Sequence, residues 1–175
     1  MPGEAYLCLA ILLAGVTPAF AGERYDLGRP ASAAEVAGWD IDVAPDGKGL
    51  PPGSGSVAQG RAVFAEICGA CHGLQGEKGD GKPIDPLAGG QDSLGGAKPL
   101  RTVGSYWPYA TTLFDYIRRA MPFSAPGSLS ADQTYAAVAY ILYLNQIVPE
   151  NATLDAASLP LVRMPNRNGF VPAPE

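Results

Sequence analysis

One pentapeptide, Cys68-Gly69-Ala70-Cys71-His72, limits what this chain can become more than any other stretch of its 175 residues. Two cysteines separated by two residues and followed at once by histidine have the spacing of a c-type haem attachment site. The chemistry needs each residue type. Two thiols one helical turn apart can add to the two vinyl groups of a haem as thioethers, and the adjacent imidazole then supplies one axial nitrogen to the iron. His72 is the only histidine in the chain. A zinc site would need further Cys or His ligands, and the one remaining cysteine, Cys8, lies in a segment expected to be removed. A thioredoxin-like dithiol would need a preceding strand and a parallel sheet, whereas the stretch before Cys68 is helical in pattern and no βαβ alternation follows. The expectation is one covalently bound haem c, held by Cys68 and Cys71 with His72 on the iron.

Residues 1–21 read as a secretory signal peptide. Tyr6 to Val16 is apolar but short for a bilayer span. Ala19-Phe20-Ala21 presents small residues where a signal peptidase cuts, so cleavage is expected after Ala21. The segment carries Glu4 and no Lys or Arg, which leaves an uncleaved membrane anchor as the competing reading. Leu7 ahead of Cys8 is not small, which argues against a lipoprotein. A periplasmic address suits the motif, because such haems are attached on the oxidising side of bacterial membranes. The mature chain would hold Cys68 and Cys71 alone, so no structural disulfide is available if both carry haem. Net charge is −5, and −4 without the first 21 residues, where 12 basic side chains face 16 acidic ones. Such a chain is not built for nucleic acid or an anionic membrane.

With 22 Gly and 17 Pro, a small all-α core wrapped by irregular segments is expected. The boundaries read as an extended arm over 22–55, a helical domain over 56–147 and a tail over 148–175. Within the arm, Ser32-Ala33-Ala34-Glu35 has the form of a capping box and predicts a helical turn ending near Gly38. Trp39, Ile41 and Val43 alternate with Asp40 and Asp42, which predicts a short extended segment with one buried face. Asp46-Gly47 marks a turn, and Leu50-Pro51-Pro52-Gly53-Ser54-Gly55 a linker. Trp39 is costly to leave in water, so part of the arm is expected to pack, on this domain or on another subunit.

Ser56 is the expected N-cap of the first substantial helix, with Val57, Gly60, Val63, Phe64 and Ile67 at helical spacing. Gly60 weakens that helix by about 1 kcal/mol relative to Ala, which makes sense where another helix crosses at close range. The helix is expected to run to Cys68 with His72 beyond its end. Residues 73–104 are glycine-rich and irregular, suited to wrapping a flat, rigid ligand. Pro86-Leu87-Ala88-Gly89 is expected at the porphyrin edge, with a carbonyl near Pro83 or Pro86 accepting the His72 ring N–H. Thr111 or Thr112 is expected to cap a helix that ends near Arg118-Arg119-Ala120-Met121-Pro122, where cations suit the dipole and proline terminates. Ser130 is expected to cap a final helix over 130–146, crossing the first over Gly60 with Tyr140 or Tyr143 against Phe64.

With no second histidine, the other axial ligand must be a different residue, an exogenous molecule or nothing. Methionine sulfur is the usual protein partner of histidine and raises the reduction potential. Met121, stiffened by Pro122, is the expected ligand, and Met164 a surface or packing residue. In Tyr106-Trp107-Pro108-Tyr109, ring N–H and O–H groups need partners when buried. Tyr106 and Trp107, with Arg101 as the cation, are expected to meet haem propionates; simple completion of the core is the alternative.

The layout resembles class I cytochromes c over residues 56–147: Gly60 and Phe64 on a helix into the Cys68–His72 motif, a wrapped loop, Met121, and a terminal helix carrying Tyr140. A narrower resemblance covers most of the mature chain. Leu27-Gly28-Arg29-Pro30, Gly38-Trp39-Asp40-Ile41-Asp42-Val43 and Val103-Gly104-Ser105-Tyr106-Trp107-Pro108-Tyr109 are similar to the SoxD-type cytochrome subunits of bacterial sulfane or sulfite dehydrogenases. So are the stretches 45–55, 114–123 and Val162-Arg163-Met164-Pro165-Asn166-Arg167. The resemblance implies a class I cytochrome c fold and a molybdenum-cofactor dehydrogenase subunit as partner, on which arm and tail dock. The expected role is electron transfer from that subunit to an acceptor c-type cytochrome, with no catalysis at sulfur by this chain. Its rivals are a stand-alone periplasmic electron shuttle and a haem enzyme or gas sensor with an open distal site.

Overall fold

The computed structural model describes residues 27–77 and 84–171. The chain divides at Asp40 into two compact units, Met1–Asp40 and Ile41–Glu175. The expected signal segment lies outside the described residues. Among the described residues no helix is long and apolar enough to cross a membrane.

In the first unit, helix α1 (Ala33–Trp39) is the product of local sequence. The Glu35 N–H donates to Ser32 Oγ, and the Ser32 N–H donates back to the Glu35 carboxylate at 2.8 Å, the anticipated capping box. Arg29 forks onto the same carboxylate, and with the Ser32 donors it holds Glu35 down to about 2. The helix runs one residue past Gly38, because the Asp40 N–H donates to the Val36 carbonyl and keeps Trp39 in the last turn. The alternating strand is therefore absent. Trp39 is a helical residue, 88% exposed, and of the expected apolar face only Val43, in the second unit, is buried.

The second unit begins by pinning that residue. The Val43 N–H donates to Asp115 Oδ1 at 2.9 Å, and Arg119 bridges the other oxygen of the same carboxylate. The turn at Asp46-Gly47 follows, with Gly47 at φ +94°. The stretch read as a linker then enters the domain. Strand β1 (Ser54–Ser56) pairs antiparallel with β2 (Thr153–Asp155), Gly55 opposite Leu154. Only glycine fits at 55, since a Cβ there would lie 2.7 Å from Ala136 Cβ and nearer still to the Ala136 backbone.

Ser56 caps helix α2 (Val57–Val63) in a second capping box with Gln59. The coil then widens into a π-turn over Phe64–Cys68 and tightens again as α3 (Gly69–His72). His72 thus lies inside the helical rod, not beyond it. The rod stops at Gly73, whose φ of +69° is a conformation that L side chains rarely adopt. Helix α4 (Ala110–Ala120) starts earlier than expected, after Tyr109, with no side-chain cap. Thr111 is buried in its first turn and donates its hydroxyl to the Pro45 carbonyl at 3.1 Å instead. Ser130 and Gln133 form a third capping box for α5 (Ala131–Leu144). That helix ends two residues early, because Asn145 takes the C-cap and Gln146 turns to φ +60°.

Helices α2 and α5 cross at Gly60, which faces Ala136 and Tyr140. Phe64 meets Tyr140 edge to face at 5.3 Å, while Tyr143 stacks on Tyr140 rather than reaching Phe64. Phe64, Phe114, Tyr135 and Leu142 are fully buried, each contributing roughly 1.5–3 kcal/mol by leaving water. The segment after α5 is no free tail over its described length. Leu154, Leu159 and Met164 are all buried in the same core. The architecture is all-α, with a two-stranded ribbon added where the segments before α2 and after α5 meet.

Candidate haem site

The second unit encloses a cavity of about 600 Å3. Its first wall is the rod α2–α3. Cys68 and Cys71 stand three residues apart on it, so both sulfurs share one face, and both line the cavity with His72. A second wall comes from α4 and its C-cap, through Leu113, Ile117 and Met121. Loop residues Pro86, Leu87, Thr102 and Val103 form a third, and Ala137 and Ile141 of α5 complete the enclosure.

His72 is half-buried, and its Nδ1 is buried without a hydrogen-bond partner among the described residues. Leaving such a nitrogen unpaired costs about 1–3 kcal/mol. Burial lowers the imidazole pKa, which favours the neutral ring that a metal requires. Of the two prolines expected near its partner carbonyl, Pro83 lies outside the described residues and Pro86 lines the cavity. The Cys68 thiol is pushed up to about 11, first by burial and then by Cys71. A redox dithiol needs the opposite, a thiol with a depressed pKa. Nor do the described residues gather three or more His, Cys, Asp or Glu side chains, which zinc would require. A largely apolar cavity with one neutral imidazole, one thioether and two thiols on a single helical face fits a haem.

The two methionines have separate surroundings. Met121, half-buried at the end of α4, lines the cavity; Met164, 3% exposed, fills the hydrophobic core. Arg101 and Trp107 also line the cavity, with Trp107 edge-on to Tyr116 at 5.8 Å. Tyr106 departs from expectation, as it is not among the lining residues. Successive side chains on this non-helical turn diverge, and Tyr106 faces outward. There it packs on Phe170 at 5.2 Å, under the Arg101 guanidinium at 5.6 Å. Its route to the cavity is indirect, through Arg101. Sequence reasoning also passed over Asn145, a buried amide whose bonds hold the third wall. The available signal was its place just after a helix, where Asn is a common terminator.

The fold and this cavity define a cytochrome c domain, whose business is electron transfer. Residues 55–141 match the family described as cytochrome c oxidase, cbb3-type, subunit III. The crystal structure of the sulfane dehydrogenase SoxCD from Paracoccus pantotrophus matches with a TM-score of 0.79 at 46% identity, covering 86% of this chain and 73% of that one. The chain belongs to the SoxD-type cytochromes c. More distant similarity joins it to two proteins named thiosulfate dehydrogenase. It is 30% identical over 93 residues to that of Stutzerimonas stutzeri strain A1501, and 31% identical over 124 residues to that of Psychrobacter arcticus. The matches take in 52% and 65% of this chain but only 28% and 35% of those relatives.

Proposed function

We propose that this chain is a monohaem electron-transfer subunit that takes electrons from a molybdenum-cofactor dehydrogenase acting on a reduced sulfur compound and hands them to an acceptor c-type cytochrome. The observation that carries the reading is the single cavity onto which Cys68, Cys71, His72 and Met121 all open. When bound there, the haem supplies a one-electron couple at its iron. Cys68 and Cys71 would anchor it covalently as thioethers. His72 and Met121 would hold its iron through a nitrogen and a sulfur, and the sulfur ligand would bias the couple toward the reduced form. Leu113, Ile117 and Ile141 line the cavity and would exclude water from a bound haem, and burial of this kind would help set its potential. Arg101 would neutralise haem carboxylate charge, and Trp107 closes the adjacent wall of the cavity.

The sulfur-compound partner is supported by the 46% identity to a SoxCD chain and by the thiosulfate dehydrogenase relatives. Residues 1–21 act as the export signal, which delivers the chain to the periplasm. The arm before residue 56 supplies docking contacts, Trp39 first among them because it is 88% exposed. The test is gentle purification of the native protein by its haem colour. Co-purification of molybdenum and a second, larger chain at fixed ratio, with haem reduction by sulfite or thiosulfate, is the expected result. A cytochrome that comes away alone and is reduced by neither compound refutes the partnership and leaves a stand-alone shuttle.

A further inference from the structure

Loop residues Leu87, Thr102 and Val103 form the cavity wall that regular structure does not build. Their placement converges on one side chain. Asn145, 3% exposed, closes the C-terminus of α5. Its Nδ2 donates to the Ile141 carbonyl at 2.9 Å, within its own helix, and to the Leu87 carbonyl at 3.1 Å. Its Oδ1 accepts the Gly89 N–H at 3.1 Å, and its backbone carbonyl accepts from Gln91 Nε2 at 3.0 Å. The segments so held are then tied to one another. The Val103 N–H donates to the Leu87 carbonyl, the Thr102 hydroxyl to the Gly89 carbonyl, and the Leu87 N–H to the Gly76 carbonyl, four residues past His72. Gly104 runs against the amide so closely that a Cβ there would lie 2.7 Å from Asn145 Cγ.

We propose that Asn145 is a positioning residue that sets the loop wall of the haem cavity against His72. The proposal rests on the haem reading above. Only an amide offers two donors and an acceptor in one planar group of this size. Aspartate keeps the shape and loses both donors. A buried polar group of this kind is favourable only when every bond is made. Here two of its three side-chain bonds go to the loop and one to the helix. The same helix crosses α2 at Gly60, and α2 continues into Cys68–His72. Five residues before Asn145, the Tyr140 hydroxyl donates to the Leu74 carbonyl at 3.0 Å. Both the motif and the wall facing it are thereby referenced to α5.

The experiment uses full-length, haem-loaded protein with Asn145→Asp and Asn145→Ala. In the parent protein, loss of the low-spin visible spectrum and loss of far-UV helix signal should coincide in guanidinium chloride. In the variants the visible change should come at lower denaturant than the helix loss, and the reduction potential should fall as water reaches the haem. Coincident transitions that shift together, with an unchanged potential, show a helix cap and nothing more, and overturn the proposal. Should neither variant accumulate, hydrogen exchange in the parent protein decides. The Gly89 amide should exchange as slowly as that of Ile141, and rapid exchange overturns the assignment. A parent protein without a haem spectrum sinks the haem reading itself, and Asn145's role toward it as well.

Discussion

Replacing Gly60 with alanine sets two opposed effects against each other. Alanine is the better helix former by about 1 kcal/mol, so an isolated α2 would gain. In the folded domain the new Cβ would lie 2.7 Å from the Ala136 carbonyl carbon and 2.7 Å from Tyr140 Cβ, and nearer still to the Ala136 oxygen. Carbon atoms prefer separations of about 3.5–4.0 Å, so the two helices must part by roughly an ångström, and a gap of that size forfeits about a quarter to a half of each contact across it. None of the crowded atoms is the free end of a side chain that could swing away. Overpacking of this kind costs about 1–3 kcal/mol, and the rigidity of the neighbours puts Gly60 toward the upper end. The net expectation is a loss of about 2 kcal/mol after the propensity gain. For a chain of this length that lowers the melting temperature by about 4–8 °C. Far-UV circular dichroism of the haem-loaded protein reads it directly. Gly95→Ala is the control, because a Cβ there meets nothing within 4 Å, and it should change stability by no more than about 0.5 kcal/mol. A Gly60→Ala protein as stable as the parent, or more so, would refute the close crossing and with it the account of how α5 supports the haem motif.

Met121→Ala should leave the reduced protein able to bind CO and shift it toward high spin, whereas Met164→Ala should leave the visible spectrum alone and cost about 2–5 kcal/mol as a core cavity. Replacing both Cys68 and Cys71 with alanine should let acidified organic solvent extract the haem, which the parent protein should retain. Tyr135 donates its hydroxyl to the Pro51 carbonyl at 2.9 Å, and burial, with the Asp155 charge, pushes the phenol from its ordinary 10.0 up to about 12, Arg118 opposing. An acid raised in the folded state contributes stability that is complete below its unfolded value and lost as pH climbs through the folded one. Urea unfolding should therefore show the parent protein losing part of its advantage over Tyr135→Phe between pH 10 and 12; a constant difference across that window refutes the assignment.

Much of this protein is written in short-range pattern. Ser32, Ser56 and Ser130 each start a helix through a bond to the third residue on, and such signals survive in sequence because both partners lie within one turn. Gly60 announced the helix crossing because a glycine inside a helix has a cost that something must offset. The Cys68–His72 spacing proposes its chemistry within five residues, and Met121 stood out because so few alternative ligands exist.

Other features were invisible because their causes lie far along the chain. Nothing within Ser54-Gly55-Ser56 or Thr153-Leu154-Asp155 marks a strand; each is a strand because the other is beside it. The segment after α5 is rich in Pro and Asn and looks like a tail, yet Leu154, Leu159 and Met164 fill gaps in a core that only the assembled helices define. Thr111 resembled a cap until the Pro45 carbonyl came within reach of its hydroxyl. Trp39 fitted an alternating pattern, but a backbone bond from Asp40 to Val36 placed it in the helix instead. Asn145 is the clearest case. Its sequence neighbours give it a helix end, but its partners at Leu87 and Gly89 come from a loop more than fifty residues away. Sequence by itself determined where three of the helices begin and which glycine admits the crossing, and it named the residues proposed for the haem chemistry, because those signals close within a few residues. The tertiary structure alone decided how the cavity wall is held, because a buried amide takes its partners from whatever backbone the folded chain brings within 3 Å.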